Sequence, residues 1–169
     1  MIRFIGFVIM VISSAKIGFD ASHRYIGRVK ELKAFIKVLE KLKNEIEFSN
    51  CVISEALLNS ANVKSSMVNK LISHITANIE HGKNSMCEAF VEFVSLNQMC
   101  FDKNDVDEIY GYLSSFGSGD TKEEIENITK TIGGLKSNLG VAIENERKYV
   151  KLFRTSGILT GFLIAIILA

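Results

Sequence analysis

The sequence contains no proline and no tryptophan among its 169 residues. Proline breaks helix interiors and usually makes up about 5% of a chain. Its complete absence therefore favours long, uninterrupted helices. Tryptophan is enriched where apolar segments meet the membrane–water interface, so no segment of this chain can be anchored there by that residue.

Cysteine is also scarce, with three residues at Cys51, Cys87 and Cys100. Their number is odd, they lie far apart, and none forms Cys-x-x-Cys, so neither a zinc site nor a disulfide framework is indicated. Free thiols are typical of proteins in the reducing cytoplasm. The cysteine pattern therefore favours a cytoplasmic location for the segment that carries them.

Motifs that carry catalysis are missing as well. The chain has no phosphate-binding loop of the form Gly-x-x-x-x-Gly-Lys-Ser/Thr, and the Gly117–Gly119 segment follows a predicted helix rather than a strand, which indicates a turn. His23, His74 and His81 do not form His-Glu-x-x-His. We therefore predict no catalytic residue, no metal and no cofactor. The net charge of +1 gives no indication of nucleic-acid binding.

Uncharged apolar runs lie near both ends of the chain. The first, Phe4–Ala15, has 12 residues, and the second has 15 residues and follows Arg154. As a helix the second run would be roughly 22 Å long, which is short of the ~20 residues that a bilayer crossing needs. Flanking Lys and Arg side chains can extend such a run because their long apolar stems reach the head groups. We therefore expect membrane helices at residues 1–19 and 154–169.

Each apolar run also has an alternative interpretation. The first run resembles a signal peptide, because Ile12–Ala15 is similar to a small-residue cleavage site. The second run has the composition of a buried core helix. In both cases the membrane interpretation is preferred, since the two runs enclose a polar middle and would share one membrane.

Small residues recur at four-residue spacing in both runs. Ser14 and Gly18 lie in the first, and Gly157 and Gly161 form Gly-x-x-x-Gly in the second. Small residues allow membrane helices to approach each other closely. This pattern predicts helix packing at these four positions, either between the two ends of one chain or between copies in a homo-oligomer.

The middle of the chain, residues 20–153, is expected to form one cytoplasmic helical domain. Its two ends are basic: Lys16–Lys37 contains six basic and two acidic residues, and Glu144–Arg154 contains four basic and two acidic residues. Positive charge beside a membrane span marks the cytoplasmic side. The charge pattern therefore places the middle in the cytoplasm.

Apolar residues at helical spacing predict two long helices. The first covers Asp20–Phe48 and continues from the N-terminal run, with an apolar stripe at Ile26, Val29, Leu32, Ile36, Leu39, Leu42 and Ile46. The last begins at Thr121 and carries a heptad seam at Ile125, Ile128, Ile132, Leu135, Leu139, Ala142, Glu146, Tyr149 and Phe153. Because one helix leaves the membrane and the other returns to it, we expect an antiparallel stalk.

Four shorter helices are predicted between the two long ones, over Val52–Ser60, Ser65–Glu80, Ser85–Asn97 and Asp105–Ser115. Capping boxes are predicted at Ser85–Glu88 and at Thr121–Glu124. No alternating strand pattern of useful length is present. The prediction is an all-α fold, in which an antiparallel long-helix stalk and a bundle of shorter helices are combined with membrane helices at both termini.

The segment Asp102–Glu126 is acidic, with eight acidic and two basic residues. One interpretation is a solvated face with the acids that favour helix starts. The other is a docking surface for a basic patch on a partner protein. The candidate docking residues are Asp105, Asp107, Glu108, Glu123, Glu124 and Glu126.

Several motifs resemble a known family. Phe116–Asp120, Phe-Gly-Ser-Gly-Asp, precedes the last helix, and Lys151–Gly161, Lys-Leu-Phe-Arg-Thr-Ser-Gly-Ile-Leu-Thr-Gly, lies near its end. The Leu/Glu-rich segment Leu39–Phe48 ends in an aromatic residue. Together with the apolar ends around a helical middle, these motifs resemble the stage III sporulation protein AB family over nearly the whole chain.

The resemblance implies a component of the mother-cell to forespore channel apparatus of endospore-forming bacteria, located on the mother-cell side at the outer forespore membrane. It also implies a helical fold similar to the cytoplasmic domains of the type II secretion platform protein. The expected partners are a cytoplasmic secretion-type ATPase and other membrane components of the channel, with no catalysis by the chain itself. The alternative is a membrane-anchored sensor or enzyme with an unrecognised helical site, whose candidate polar residue is Glu146.

Overall fold

The computed structural model describes residues 2–48, 66–80, 85–117 and 119–167. This part of the chain consists of five helices, α1 (Ile2–Phe48), α2 (Ser66–Glu80), α3 (Met86–Leu96), α4 (Lys103–Ser115) and α5 (Thr121–Ile167). No strand occurs within these ranges, so the predicted all-α class is confirmed. The helix predicted over Val52–Ser60 lies outside the described residues.

The two long helices α1 and α5 each contain 47 residues. At 1.5 Å per residue each is about 70 Å long. The prediction that the first long helix continues from the N-terminal apolar run without a break is confirmed. α5 also remains helical through Gly133, Gly134 and Gly140, although each glycine costs roughly 1 kcal/mol of helix propensity relative to alanine.

The chain divides into two compact units. The terminal unit consists of Met1–Val29 and Val141–Ala169, and the central unit consists of Lys30–Gly140. Each long helix contributes residues to both units. The three shorter helices belong to the central unit.

The central unit is held together by apolar side chains from all five helices. Its largest fully buried side chains are Leu32, Phe35, Val38, Leu39, Leu42, Val68, Leu71, Ile75, Phe90, Ile109, Ile128 and Leu135. Leu32, Ile36, Leu39 and Leu42 of the stripe predicted for α1 are part of this core. The buried arc is wider than that stripe, because Phe35 and Val38 are also covered, as in a helix packed against several neighbours.

Helix starts in the central unit follow the capping rules. Ser85 caps α3 as predicted: the Glu88 amide donates to Ser85 Oγ at 3.2 Å, and the Ser85 amide donates to Glu88 Oε2 at 3.1 Å. α4 begins two residues earlier than predicted because Asp102 is its N-cap. Asp105 closes that capping box by accepting from the Asp102 amide at 2.9 Å.

The capping box predicted at Thr121–Glu124 is wrong. The residue that caps α5 is Asp120, whose Oδ1 accepts from the Glu123 amide at 2.8 Å. The Glu124 amide donates to the Asp120 carbonyl at 3.0 Å, as in the first turn of a helix. The Glu124 carboxylate does not return to the helix start, because it is bound to Tyr112 and Gly117 instead.

Within the described residues, we find no helix with the length and apolar character that a membrane crossing demands. The expectation of spanning helices at residues 1–19 and 154–169 is therefore not supported. The physical reason lies in the sequence, where the uncharged runs of 12 and 15 residues are shorter than the ~20 residues of a typical span. Lys16 and Arg154 interrupt the apolar pattern on the inner side of each run.

Candidate functional site

In the terminal unit, α1 and α5 run antiparallel and touch at small residues. Ser14 Oγ donates a hydrogen bond to the Gly157 carbonyl at 2.7 Å. A Cβ atom at Gly18 would lie 2.5 Å from the Phe153 carbonyl oxygen and 3.2 Å from Gly157 Cα. Because both neighbours are backbone atoms of a helix, they cannot move aside for a side chain. The structure thus brings Ser14, Gly18 and Gly157 together within one chain.

The fourth small residue, Gly161, is buried one turn further along α5. Its neighbours Phe162 and Leu163 are exposed by 55% and 59%. The small residue therefore faces inward, and the large apolar side chains beside it face outward.

Aromatic stacking continues the contact between the two helices. The Tyr25 ring stacks on the Tyr149 ring, with centroids 5.1 Å apart, and on the Phe153 ring at 5.9 Å. The Arg154 guanidinium lies 4.8 Å from the centre of the Phe19 ring. Such cation–π contacts contribute on the order of 0.5–1 kcal/mol at exposed sites. The pairing of these helix segments therefore combines close backbone contact with ring stacking.

Several large apolar side chains of the terminal unit are exposed among the described residues. We call the following set the terminal apolar surface: Ile12, Ile17, Leu159, Phe162, Leu163, Ile166 and Ile167. Their exposed fractions reach 71% at Ile17 and 75% at Ile166. Clustered exposed apolar residues mark sites that bind a partner protein, a ligand or a membrane.

Two of the predicted docking residues are internal groups of the central unit. Asp105 is fully buried and belongs to the capping box of α4. Glu124 is 3% exposed and accepts hydrogen bonds from the Tyr112 hydroxyl at 3.1 Å and from the Gly117 amide at 3.0 Å. Burial and the neighbouring Glu124 charge raise the pKa of Tyr112, so its phenol stays protonated and donates. Neither carboxylate is presented to a partner.

The other four predicted docking residues reach the surface to different extents. Asp107, Glu123 and Glu126 are exposed, whereas Glu108 is half-buried with its carboxylate against Gly134. Asp107 and Glu108 also line a cleft of about 290 Å³ between α4 and α5. Docking through these four residues stays a prediction.

Glu31 is a buried carboxylate that was not predicted from the sequence. It is 8% exposed in the central unit, and its Oε2 accepts a hydrogen bond from the Cys100 amide at 2.8 Å. Burial raises the pKa of this carboxyl above its ordinary value, although the hydrogen bond opposes the shift. Its burial could have been inferred from the spacing of the sequence. Glu31 lies four and seven positions before the buried Phe35 and Val38, which places it on the same face of α1.

Among the described residues, no group of three or more His, Cys, Asp or Glu side chains could hold a metal ion. Glu146, the candidate polar residue of the alternative interpretation, is half-buried on α5 and lines an open groove together with Arg147 and Lys151.

These features define an all-helical protein built on two long helices, with a helical core in one unit and a close helix pair in the other. The family model for stage III sporulation protein AB matches residues 3–169, and the chain belongs to that family. The sporulation family inferred from the sequence motifs is thereby confirmed.

Similarity to individual relatives is low in sequence but extends over the full length. Stage III sporulation protein AB of Bacillus subtilis (strain 168) is 19% identical over 170 residues, which cover 99% of both chains. A solved structure of stage III sporulation protein AB is 15% identical, with a TM-score of 0.62, and the match covers 72% of this chain and 98% of that one. At this identity the structural similarity shows a shared fold.

Proposed function

We propose that this chain is a non-catalytic assembly component of a sporulation channel between mother cell and forespore. In this proposal the terminal unit holds the protein at the outer forespore membrane, on the mother-cell side. The central unit faces the cytoplasm and docks a secretion-type ATPase. Membership of a sporulation family supports a role in sporulation. The terminal apolar surface supports the membrane contact, and the exposed acidic residues support the contact with the ATPase.

The observation that carries the membrane part is the terminal apolar surface. Each of its side chains would gain about 1.5–3 kcal/mol on leaving water completely. The helix pair that displays them is already closed on its inner side by Ser14, Gly18 and Gly157. The outward side chains therefore gain a favourable environment only from something outside the pair, and a lipid phase supplies it without a specific shape.

Vesicle flotation of the full chain tests this contact. We expect the chain to float with phosphatidylcholine vesicles, and the triple variant Leu159→Ser, Phe162→Ser, Leu163→Ser to remain in the dense fraction. The matched control is Leu96→Ser, which changes a side chain of the central unit that is 72% exposed. Equal flotation of the triple variant and the unchanged chain would contradict membrane binding through this surface.

The docking part rests on the exposed acidic residues Asp107, Glu123 and Glu126. Opposite charges at an interface mainly speed association and set specificity, and rim ion pairs add little affinity. Docking through these side chains therefore predicts an association rate that depends on salt. It does not require the buried carboxylates Asp105 and Glu124.

Association kinetics with the secretion-type ATPase encoded by the same organism test the docking surface. Reversal of Asp107, Glu123 and Glu126 to Lys should slow association about tenfold or more at low salt and flatten its salt dependence. The control is Glu47→Lys, an exposed acid on α1. If the triple reversal leaves the rate unchanged across a salt series, the acidic residues form only a solvated face.

A further inference from the structure

A basic groove runs along α5 in the terminal unit. It is open, has a volume of about 480 Å³, and is lined by Glu146, Arg147, Val150, Lys151, Arg154 and Thr155. Arg147, Lys151 and Arg154 are four and three positions apart, which places them on one face of the helix. The single acid among the lining residues leaves the groove with a net positive charge.

The cations of this groove are not neutralised by the part of the chain that the structure describes. Arg154 Nε is buried there without a hydrogen-bond partner. The Arg154 guanidinium carbon lies 4.8 Å from the centre of the Phe19 ring, and this contact holds the guanidinium in place. Arg147 and Lys151 form no ion pair with any described residue. A basic side chain that is held in place and has no partner within the chain has the features of a binding site for an external anion.

The groove lies immediately before the apolar end of the same helix. Leu159 follows Arg154 by five residues, or about 8 Å along the axis, and Ile167 follows by about 20 Å. If the apolar end is in lipid, cations at this distance lie at the level of the head groups. The anions at that level are phosphates of phospholipids.

We propose that Arg147, Lys151 and Arg154 bind the phosphate of an anionic phospholipid head group. This inference rests on the membrane contact proposed above. The planar guanidinium of Arg154 presents paired donors that match two phosphate oxygens, and Lys151 adds a point charge. The hydroxyl of Thr155, one position after Arg154, is a further donor on the same groove. The occupant is a lipid head group rather than free phosphate because Arg154 lies only about 8 Å along the helix axis from Leu159 of the terminal apolar surface.

The test compares binding of the full chain to two kinds of vesicle, phosphatidylcholine alone and phosphatidylcholine mixed with phosphatidylglycerol. Each basic residue near an anionic membrane contributes about a factor of five in affinity, so three should give an anionic preference on the order of a hundredfold at low salt. The triple variant Arg147→Gln, Lys151→Gln, Arg154→Gln should lose most of this preference and keep its binding to phosphatidylcholine.

The matched control removes three positive charges from the central unit, through Lys103→Gln, Lys122→Gln and Lys130→Gln. Each of these three lysines is exposed. It should retain most of the anionic preference. If both triple variants lose the preference equally, binding is general electrostatics and the groove is not a site. The double variant Arg147→Gln, Lys151→Gln changes only exposed side chains. It replaces the triple variant in the vesicle comparison if loss of the half-buried Arg154 disturbs folding.

Two further results separate this inference from its alternatives. Inorganic phosphate at matched ionic strength should not displace the chain from anionic vesicles, and displacement would show a site for free phosphate instead. Equal binding of the unchanged chain to both vesicle types would overturn the head-group site and leave the membrane contact intact. Failure to bind phosphatidylcholine vesicles would instead contradict the membrane contact itself.

Discussion

The two units of the molecule bury different kinds of surface. In the central unit, Leu, Ile and Phe side chains from five helices are fully covered, and the buried carboxylates Glu31 and Glu124 accept hydrogen bonds from the chain. In the terminal unit, the inner contact is made by Ser14, Gly18 and Gly157. Large apolar side chains are displayed on the outside of that unit.

The two kinds of buried surface are stabilised by different physical effects. A unit with a core of large apolar side chains gains most of its stability by removing them from solvent, and the central unit has such a core. Helices in lipid gain nothing from that effect, and they associate instead through close backbone contact at small residues and through hydrogen bonds. The terminal unit has the second kind of contact, which agrees with the membrane contact proposed for it above.

The largest expected change in stability comes from adding one methyl group at Gly18, where the backbones of α1 and α5 touch in the terminal unit. Gly18→Ala would place a Cβ atom 2.5 Å from the Phe153 carbonyl oxygen, so the helix pair must separate. We expect a loss of about 3 kcal/mol in the free energy of unfolding, the upper end for overpacking, because no flexible side chain can give way. Denaturant unfolding followed by circular dichroism measures it.

Gly140→Ala is the control for that substitution. A Cβ atom at Gly140 would meet nothing within 4 Å. Alanine should therefore stabilise α5 by about 0.5–1 kcal/mol through its higher helix propensity. If both substitutions shift stability by the same amount and sign, the close contact at Gly18 is not what holds the helix pair together.

The next effect concerns the buried polar contact of the central unit. Tyr112→Phe removes the hydroxyl that donates to Glu124 and leaves one oxygen of a buried carboxylate without that donor. Hydrogen bonds to charged groups contribute about 1.5–3 kcal/mol, and we expect a destabilisation in this range. Tyr110→Phe, at an exposed neighbour on the same helix, should change stability by less than about 0.5 kcal/mol. Similar losses in the two variants would argue against the Tyr112–Glu124 bond as a stabilising contact.

The smallest effect is a pH dependence that originates at Glu31. Burial raises the pKa of Glu31 in the folded state above its ordinary value of 4.5, so the folded state holds this proton more tightly than the unfolded state does. The contribution of Glu31 to the free energy of unfolding therefore falls as the pH rises from about 4.5 through the folded pKa, and is constant above it.

Glu31→Gln should remove that decline and keep an oxygen acceptor for the Cys100 amide. The variant should gain stability relative to the unchanged chain as the pH rises through this window, and thermal unfolding between pH 4 and 8, about the range in which carboxyl and neutral groups titrate, measures the gain. Glu47→Gln, at an exposed position, should show no such trend. A relative loss for Glu31→Gln with rising pH would give the opposite sign and contradict the burial argument.

Features that depend on local pattern could be predicted from the sequence. The absence of proline and the apolar stripe from Val29 to Leu42 predicted a continuous α1, and the Ser85–Glu88 pattern predicted the start of α3. Small residues at Ser14, Gly18 and Gly157 predicted helix packing, because a requirement for close approach is visible in residue size alone.

Features that depend on tertiary packing could not be predicted. The burial of Glu31 depends on the Cys100 amide, 69 residues away, and that of Glu124 depends on Tyr112 from another helix. A carboxylate in a charged segment has the same local pattern whether or not such a donor reaches it. The capping residue of α5 was misassigned for a related reason, since Asp120 and Thr121 are both good caps and the Glu124 carboxylate is bound to Tyr112 and Gly117.

The most direct test of the account compares the surroundings of the two units in one sample. After Cys51, Cys87 and Cys100 are replaced by serine, spin labels are attached to Leu163→Cys in the terminal unit or Leu96→Cys in the central unit. These sites have similar exposure, 59% and 72%. With vesicles, the label at position 163 should be relaxed by oxygen and shielded from a water-soluble nickel complex, and the label at position 96 should show the reverse. Equal access of the nickel complex to both labels would contradict the proposal that the terminal unit contacts lipid.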